Sequence, residues 1–281
     1  MIREPIYDTS NVLILNTGGA TIMAGRFGVS PIYTAEFETF LASTKENRGA
    51  YISATYRVDK ELQLRNLEDK LVRFYPMNSR SAASSLIEYH AETGLVPVGD
   101  QDNEFNGNGG IGTVYYTTSI DFSSIITDKN NFTVWVYSGT DNDAGTDVGS
   151  SDGTNFVTIS CKSGGDCVMK AGTVTITDSD VTTGKGLFFL NVQAGTVKAW
   201  KSISKEITEL GTSTAFAGSL PSAEAFLCAY SNSGTATDKS TKRIASMGVY
   251  NGLLDDDGIV FLNSLIETYH LTNGTSVNYG A

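Results

Sequence analysis

Hydrophobic and polar residues alternate along most of the chain after residue 86. The alternation is most regular in six segments, at residues 131–137, 155–161, 172–177, 186–192, 196–201 and 224–230. Because successive side chains of a strand point to opposite faces, these segments predict half-buried or buried β-strands. Glycine-rich turn signals separate them, and no helical pattern comes between them. The sequence therefore predicts a mainly β fold, an antiparallel two-sheet sandwich.

The first 85 residues show a mixed pattern. Two short apolar runs, at residues 11–15 and 20–24, predict strands, and a first helix is predicted to begin near Thr34. A second apolar stripe recurs at helical spacing, at Leu64, Leu67, Leu71 and Phe74. This stripe predicts a helix from residue 59 to about residue 75.

The chain ends on a strand followed by a helix. Residues 243–254 are β-rich, and Asp255 then stands where a helix N-cap is expected. Phe261, Leu265 and Tyr269 fall on one face of the helix that follows. We therefore predict a small α/β leader at residues 1–85 and a sandwich at residues 86–281, closed by a C-terminal helix.

The charge balance of the chain is acidic. Aspartate and glutamate number 31 against 20 lysines and arginines, and the formal net charge is −11. Binding to a phosphate backbone depends on lysine and arginine, so we predict no nucleic-acid partner. The N-terminus lacks the apolar run of a secretory signal, and no stretch is long enough to cross a membrane. We expect synthesis in a cytoplasm without a signal peptide, and no membrane partner.

Two of the three cysteines, Cys161 and Cys167, flank a glycine-containing turn and can face each other across a hairpin. Two states are open: a disulfide across the hairpin, or two reduced thiols. We favour reduced thiols, because proteins made in a cytoplasm rarely keep disulfides. Three cysteines and two histidines do not form a zinc-binding pattern.

An acidic run between two predicted strands invites a calcium interpretation. Its four aspartates fall at positions 1, 3, 7 and 12 of an EF-hand-like count: Asp141, Asp143, Asp147 and Asp152. The count departs from that motif, because Gly145 and Thr146 occupy positions 5 and 6. The other interpretation is a flexible acidic hairpin loop. Apart from calcium at this run, we predict no cofactor.

The two tryptophans are candidate sugar-binding side chains, because an indole ring stacks on the apolar face of a sugar. Trp135 lies within an apolar strand, and Trp200 lies between two lysines, at Lys198 and Lys201. For Trp135, the alternation does not decide which face of the strand points to the core. The lysines beside Trp200 favour exposure, but a core position is the favoured interpretation of Trp200.

Four segments in order resemble the concanavalin A-like (laminin G-like) jelly-roll domains of phage virion proteins. They are residues 37–77 with the ending Tyr-Pro-Met, residues 104–117 with Asn-Gly-Asn-Gly-Gly, the strand 132–138, and the closing strand and helix of 243–272. The helix cap is Asp255-Asp-Asp-Gly in place of the family's Leu-Thr-Asp-x-Glu. Residues 1–30 match no part of that pattern, and we expect them to form an attachment arm.

Enzymatic activity is not expected. Glucanases of this fold place three carboxylates in a Glu-x-Asp-x-x-Glu pattern on one strand, and that pattern is absent. Neither His90 nor His270 is accompanied by Gly-x-Ser-x-Gly, so we predict structural roles for both, with His270 exposed in the last turn of its helix.

The resemblance implies a non-enzymatic phage virion structural protein, as a capsid decoration, head fibre or tail accessory protein. It implies other virion proteins as partners, a homo-oligomer with a trimer as the first expectation, and a location on the virion. The alternative is a carbohydrate-binding adhesion module that recognises host or mucosal glycans, with calcium as an assisting ligand.

Overall fold

The computed structural model describes residues 115–141, 145–203 and 206–273, together with shorter pieces nearer the N-terminus. The shorter pieces are residues 6–7, 13–17, 20–24, parts of 55–65, 67–77, 89, 94–98, 102–104 and 107–109. The helix predicted near Thr34 and the side chain of His90 lie outside the described residues.

Two large β-sheets make up most of the described structure, which confirms the predicted sandwich. The nine-stranded sheet has the order β13-β12-β11-β10-β17-β8-β5, with β18 and β19 attached beside β10. Its strands are β5 (Val96–Val98), β8 (Tyr115–Asp121), β10 (Val148–Ser151), β11 (Phe156–Cys161), β12 (Cys167–Gly172), β13 (Val174–Asp178), β17 (Glu224–Leu227), β18 (Tyr230–Asn232) and β19 (Thr235–Thr237). All described pairings in this sheet are antiparallel except that of β10 with β18.

The eight-stranded sheet has the order β16-β15-β14-β9-β20-β7-β6, and β4 also pairs with β20. Its strands are β4 (Leu71–Tyr75), β6 (Asp102–Glu104), β7 (Gly107–Gly109), β9 (Phe132–Ser138), β14 (Gly186–Gln193), β15 (Thr196–Ile203), β16 (Glu206–Ala215) and β20 (Arg243–Asn251). A separate three-stranded sheet near the N-terminus confirms both strands predicted there; its strands are β1 (Ile6–Tyr7), β2 (Leu13–Thr17) and β3 (Ala20–Ala24).

The main core lies between the two large sheets. Strand β9 is buried along its whole length, because both of its faces are covered. Phe132, Val134 and Val136 join the core between the sheets, whereas Trp135 and Tyr137 join a second apolar cluster on the outer face. The eight-stranded sheet therefore has a packed layer on each side.

A C-terminal helix covers the outer face of the eight-stranded sheet, as predicted. Helix α2 spans Asp256–Thr272, and the Asp255 carboxylate accepts a hydrogen bond from the Gly258 backbone N–H at 2.8 Å. Leu265 and Tyr269 are buried against the sheet, but Phe261 is only half-buried at the edge. Between β8 and β9, helix α1 is the single turn Phe122–Ile125. Within the described part of the chain, no helix is long and apolar enough to span a membrane.

The helix predicted for residues 59–75 is wrong in its second half. A short 3₁₀ turn, Glu68–Lys70, leads into strand β4, which pairs with β20. The stripe does not share one face, since Leu64 is 78% exposed while Phe74 is buried in the outer cluster. As a strand, this segment forms ladder hydrogen bonds with β20 and buries apolar side chains on both of its faces. These interactions stabilise the strand more than the helical spacing of its apolar residues favours a helix. A leader ending at residue 85 would thus contribute one strand to the sandwich.

The hairpin of β11 and β12 brings two cysteines together. Cys161 and Cys167 are direct partners in the antiparallel register and form a disulfide. The preference for two reduced thiols was therefore wrong. It was based on how rarely cytoplasmic proteins keep disulfides, and that frequency says nothing about which cysteines the strand register places opposite each other. The third cysteine, Cys228, is free and buried.

Candidate functional site

The outer face of the nine-stranded sheet carries polar side chains. In β11, Thr158 and Ser160 alternate with core residues and so point away from the core; in β12, Val168 and Lys170 do the same. These four residues line a pocket of about 200 Å³. The candidate site, called here the outer-face pocket, lies above β11 and β12.

Two aromatic rings line this pocket. Phe156 begins β11 and Tyr230 begins β18, and their ring centroids are 6.4 Å apart in an edge-to-face arrangement. Both side chains are half-buried, so part of each is open to solvent. The Lys170 ammonium lies 4.6 Å from the centroid of the Phe156 ring, which fixes the long side chain along the wall of the pocket.

A reversal of the chain at Cys228 places Tyr230 over the pocket. Strand β17 runs antiparallel to β10, but β18 runs parallel to it, so the chain turns back between them. Cys228 has a φ of 60°; its N–H donates to the Asp147 carbonyl at 2.7 Å and its carbonyl accepts from the Ser240 N–H at 2.8 Å. Ser233 and Asp238 on the same segment also have positive φ, of 50° each. Non-glycine residues in this region cost conformational energy and concentrate at functional sites.

The rim of the pocket is fixed by a contact between two loops. The Thr146 N–H donates to the Asp238 carbonyl, and the Thr146 hydroxyl donates to the Asp238 carboxylate, both at 2.8 Å. Gly145 has a φ of 89°, and a Cβ there would lie 2.4 Å from the Lys239 carbonyl oxygen. Glycine is therefore required for the close approach of the two loops.

The pocket is lined by more basic than acidic side chains, although the whole chain is acidic. Lys162 and Lys170 line it together with one carboxylate, Asp238, whereas the chain carries a net charge of −11. The arrangement combines aromatic rings, hydroxyl groups and cations in one concave surface, which are the groups that bind small polar ligands.

The structure separates the aspartates of the predicted calcium run. Asp141 is exposed and accepts a hydrogen bond from the Thr183 hydroxyl. Asp152 accepts from the backbone N–H groups of Thr154 and Asn155 at 3.0 and 2.8 Å, and these backbone hydrogen bonds lower the pKa of its carboxyl. Asp143 lies outside the described residues.

Asp147, the third described aspartate of that run, is fully buried. Its carboxylate lies 2.9 Å from the Lys242 ammonium, and both side chains are 0% exposed. Burial raises the pKa of the Asp147 carboxyl, and the Lys242 charge opposes that rise. Among the described residues, no group of three or more His, Cys, Asp or Glu side chains is placed to hold a metal ion. The acidic run contributes Thr146, and none of its described aspartates, to the outer-face pocket.

The structure buries both tryptophans that the sequence suggested as sugar-binding residues. Trp135 is 1% exposed and its indole lies against Gly248, where an added Cβ would be 2.1 Å from the ring. Trp200 is 9% exposed and belongs to the same outer cluster. This burial agrees with the core role that the sequence left open for both tryptophans.

His270 is buried, contrary to the prediction of an exposed side chain. Its Nε2 atom lies 2.8 Å from the Ser246 hydroxyl, and its ring stacks on Tyr137 at a centroid distance of 4.0 Å. Both His270 and Ser246 are 0% exposed, so a substrate does not reach them. This geometry agrees with the predicted structural role of His270.

Sequence reasoning missed Phe156, Lys170 and Tyr230 as site residues. Alternation in residues 155–161 does place Phe156 on the face opposite Val157, which was the available signal. The reversal at Cys228, which brings Tyr230 over that face, has no glycine to mark it.

Comparisons with known proteins identify the fold. No protein family model matches the chain, and no curated protein matches it either. Among solved structures, a mutant of Trypanosoma rangeli sialidase displaying trans-sialidase activity superposes with a TM-score of 0.51 and 13% identity, over 78% of this chain and 39% of that chain.

Two further structures superpose with lower scores. The K499G mutant of the NanB sialidase of Streptococcus pneumoniae gives a TM-score of 0.38 at 14% identity, over 50% of this chain. The Ruminococcus gnavus IT-sialidase module CBM40 also gives 0.38 at 14% identity, over 52% of this chain and 92% of that chain. This chain spans only 25% of the length of NanB. The likeness to the T. rangeli enzyme shows a shared β-sandwich fold, and these identities show nothing finer.

Proposed function

We propose that this chain is a glycan-binding β-sandwich that recognises sugars without hydrolysing them. The observation that carries the proposal is the outer-face pocket, where Phe156 and Tyr230 stand beside hydroxyl groups and the Lys170 ammonium. A sugar ring presents apolar C–H faces and a belt of hydroxyl groups. Aromatic rings pack against the faces, and hydroxyl and charged side chains exchange hydrogen bonds with the belt.

The size and chemistry of the pocket favour binding over catalysis. Its volume of about 200 Å³ is below the range of roughly 300–1,000 Å³ that holds drug-sized ligands, so we expect it to take one or two sugar rings. Hydrolysis of a glycosidic bond normally uses a pair of carboxylates. Asp238 is the one carboxylate among the residues that line the pocket, and it is engaged with Thr146.

Replacing Phe156 by alanine is expected to weaken glycan binding by about tenfold. The substitution removes the ring on which the sugar stacks, and an aromatic contact of this kind contributes on the order of 1.4 kcal/mol. A glycan array would identify bound oligosaccharides, and calorimetry would then compare wild type with F156A. Repeating the array with EDTA tests the prediction of calcium assistance.

A matched control is available at Phe261. That ring is also half-buried beside a cation, since the Arg65 guanidinium carbon lies 3.8 Å from its centroid, but it belongs to helix α2 on the other sheet. F261A should bind glycans like wild type. Equal binding by wild type and F156A, or equal losses in F156A and F261A, would exclude the outer-face pocket as the site.

We also propose that the sandwich is carried on the surface of a phage particle, assembled with other virion proteins as a homo-oligomer, with a trimer as the first expectation. The support is the resemblance of four ordered sequence segments, including the strand-and-helix unit in which β20 leads into α2. Immunogold electron microscopy of purified particles with antibody against this chain tests the location. Labelled heads or tails would support it, and unlabelled particles with free protein in the lysate would contradict it.

A further inference from the structure

We propose that the sugar bound in the outer-face pocket carries an anionic group, a carboxylate or a sulfate ester, and that Lys170 and Lys162 bind it. This inference rests on the proposed function and adds the chemical class of the ligand.

Both lysines are held at the pocket by the strands that carry them. Lys170 points outward from β12 and is half-buried along the ring of Phe156, with its ammonium 4.6 Å from the ring centroid. Lys162 directly follows β11 and lines the same pocket. An ammonium fixed in this way loses little conformational freedom when an anion binds to it.

Three other lysines of the sandwich have acidic partners. Lys198 lies 2.6 Å from the Asp256 carboxylate, Lys201 lies 3.1 Å from the Asp178 carboxylate, and Lys242 is paired inside the protein. No described acidic side chain forms an ion pair with Lys162 or Lys170. The chain as a whole has a net charge of −11, but these two cations lie together at one pocket without an acidic partner. They therefore create a local positive potential that attracts an anionic ligand.

The one carboxylate that lines the pocket forms no ion pair with either lysine. Asp238 accepts a hydrogen bond from the Thr146 hydroxyl and belongs to the rim, where its backbone carbonyl also accepts from the Thr146 N–H. Two lysines and one aspartate line the pocket, so the formal charge of its lining side chains is positive. An aromatic wall beside two free ammonium groups matches a ligand that has both a sugar ring and an anionic substituent.

The test compares matched pairs of oligosaccharides that differ only in the anionic group. One pair presents a sugar carboxylate against its methyl ester, and another presents a sulfated sugar against the unsulfated form. We expect the wild type to bind the acidic member about tenfold or more tightly, as for a hydrogen bond to a charged group. K170Q should reduce that preference strongly, whereas K170R should retain most of it.

The control substitution is K201Q, because it removes the same charge from a lysine that is already paired with Asp178. K201Q should leave the preference unchanged. Equal binding of acidic and neutral members by wild type would overturn this inference and leave the proposed function standing. If the protein bound no oligosaccharide of either kind, both the inference and the proposed function would be overturned. If inorganic sulfate displaced the acidic sugar at an equal concentration, the pocket would be a simple anion site, and the inference would be overturned.

Discussion

Replacing Lys242 by methionine is expected to destabilise the protein by about 3–5 kcal/mol, the cost typical of removing one partner from a buried ion pair. The Asp147 carboxylate would remain in an interior where both side chains are now 0% exposed. The Lys242 ammonium also donates to the carbonyl oxygens of Cys161 and Gly184, so the substitution frees two backbone acceptors as well. Urea unfolding at pH 7 would measure the loss as a lower midpoint at an unchanged slope.

The double variant D147N/K242M separates the buried charge from the other losses. Asparagine keeps an oxygen that accepts from the Cys161 N–H, which donates to Asp147 at 3.0 Å, but it carries no charge. We therefore expect the double variant to recover about 2 kcal/mol relative to K242M, although it contains one more substitution. A K242M protein as stable as wild type would mean that Asp147 is solvated, contrary to the structure.

An exposed ion pair provides the matched comparison. Lys198 and Asp256 lie 2.6 Å apart, but the Asp256 side chain is 52% exposed. K198M should cost about 0–1 kcal/mol, because water already screens the pair. The contrast between K198M and K242M tests whether burial, and not the number of ion pairs, sets the size of the effect.

The sequence pattern predicted the sandwich because its strands obey local rules. Residues 155–161 alternate strictly, and the structure places Val157 and Ile159 in the core between the sheets. The same rule failed at residues 71–75, where the spacing of Leu71 and Phe74 fits a helix as well as a half-buried strand. Only the position of β20, more than 160 residues later in the chain, decides between the two. Local pattern therefore predicts which segments are strands better than it predicts which edges they occupy.

The candidate site could be predicted far less well than the fold. Tryptophan is the natural first guess for a sugar-binding ring, yet Trp135 and Trp200 are buried in the apolar cluster on the outer face of the eight-stranded sheet. The pocket is instead formed by Phe156, Lys170 and Tyr230 from three strands. Their meeting depends on the register of β11 with β12 and on the backbone reversal at Cys228. Neither the register nor the reversal produces a residue composition or spacing that can be recognised in a single sequence.

Acidification is expected to destabilise the protein through His270. Burial lowers the pKa of His270 from 6.5 to about 3, because an imidazolium between the sheet and helix α2 would lose its hydration. The unfolded chain takes up this proton near pH 6.5, but the folded chain does so only near pH 3. The unfolded state therefore binds more protons between these values, so stability is complete above pH 6.5 and falls as the pH falls. The loss is about 2 kcal/mol at pH 5 and about 4–5 kcal/mol by pH 3.

The variant H270Q isolates this contribution, because glutamine is neutral at every pH and can still hydrogen-bond to Ser246, whose hydroxyl lies 2.8 Å from Nε2 of the native ring. H270Q should be less stable than wild type at pH 7.5, since it loses the stacking on Tyr137. Between pH 7.5 and pH 5, however, wild type should lose about 2 kcal/mol more than H270Q in urea unfolding. Parallel stability curves for the two proteins would show that His270 takes up its proton at the same pH in the folded and unfolded states, contrary to this prediction. An NMR titration decides the same point directly, because the His270 ring should show no protonation above about pH 4 while the protein remains folded.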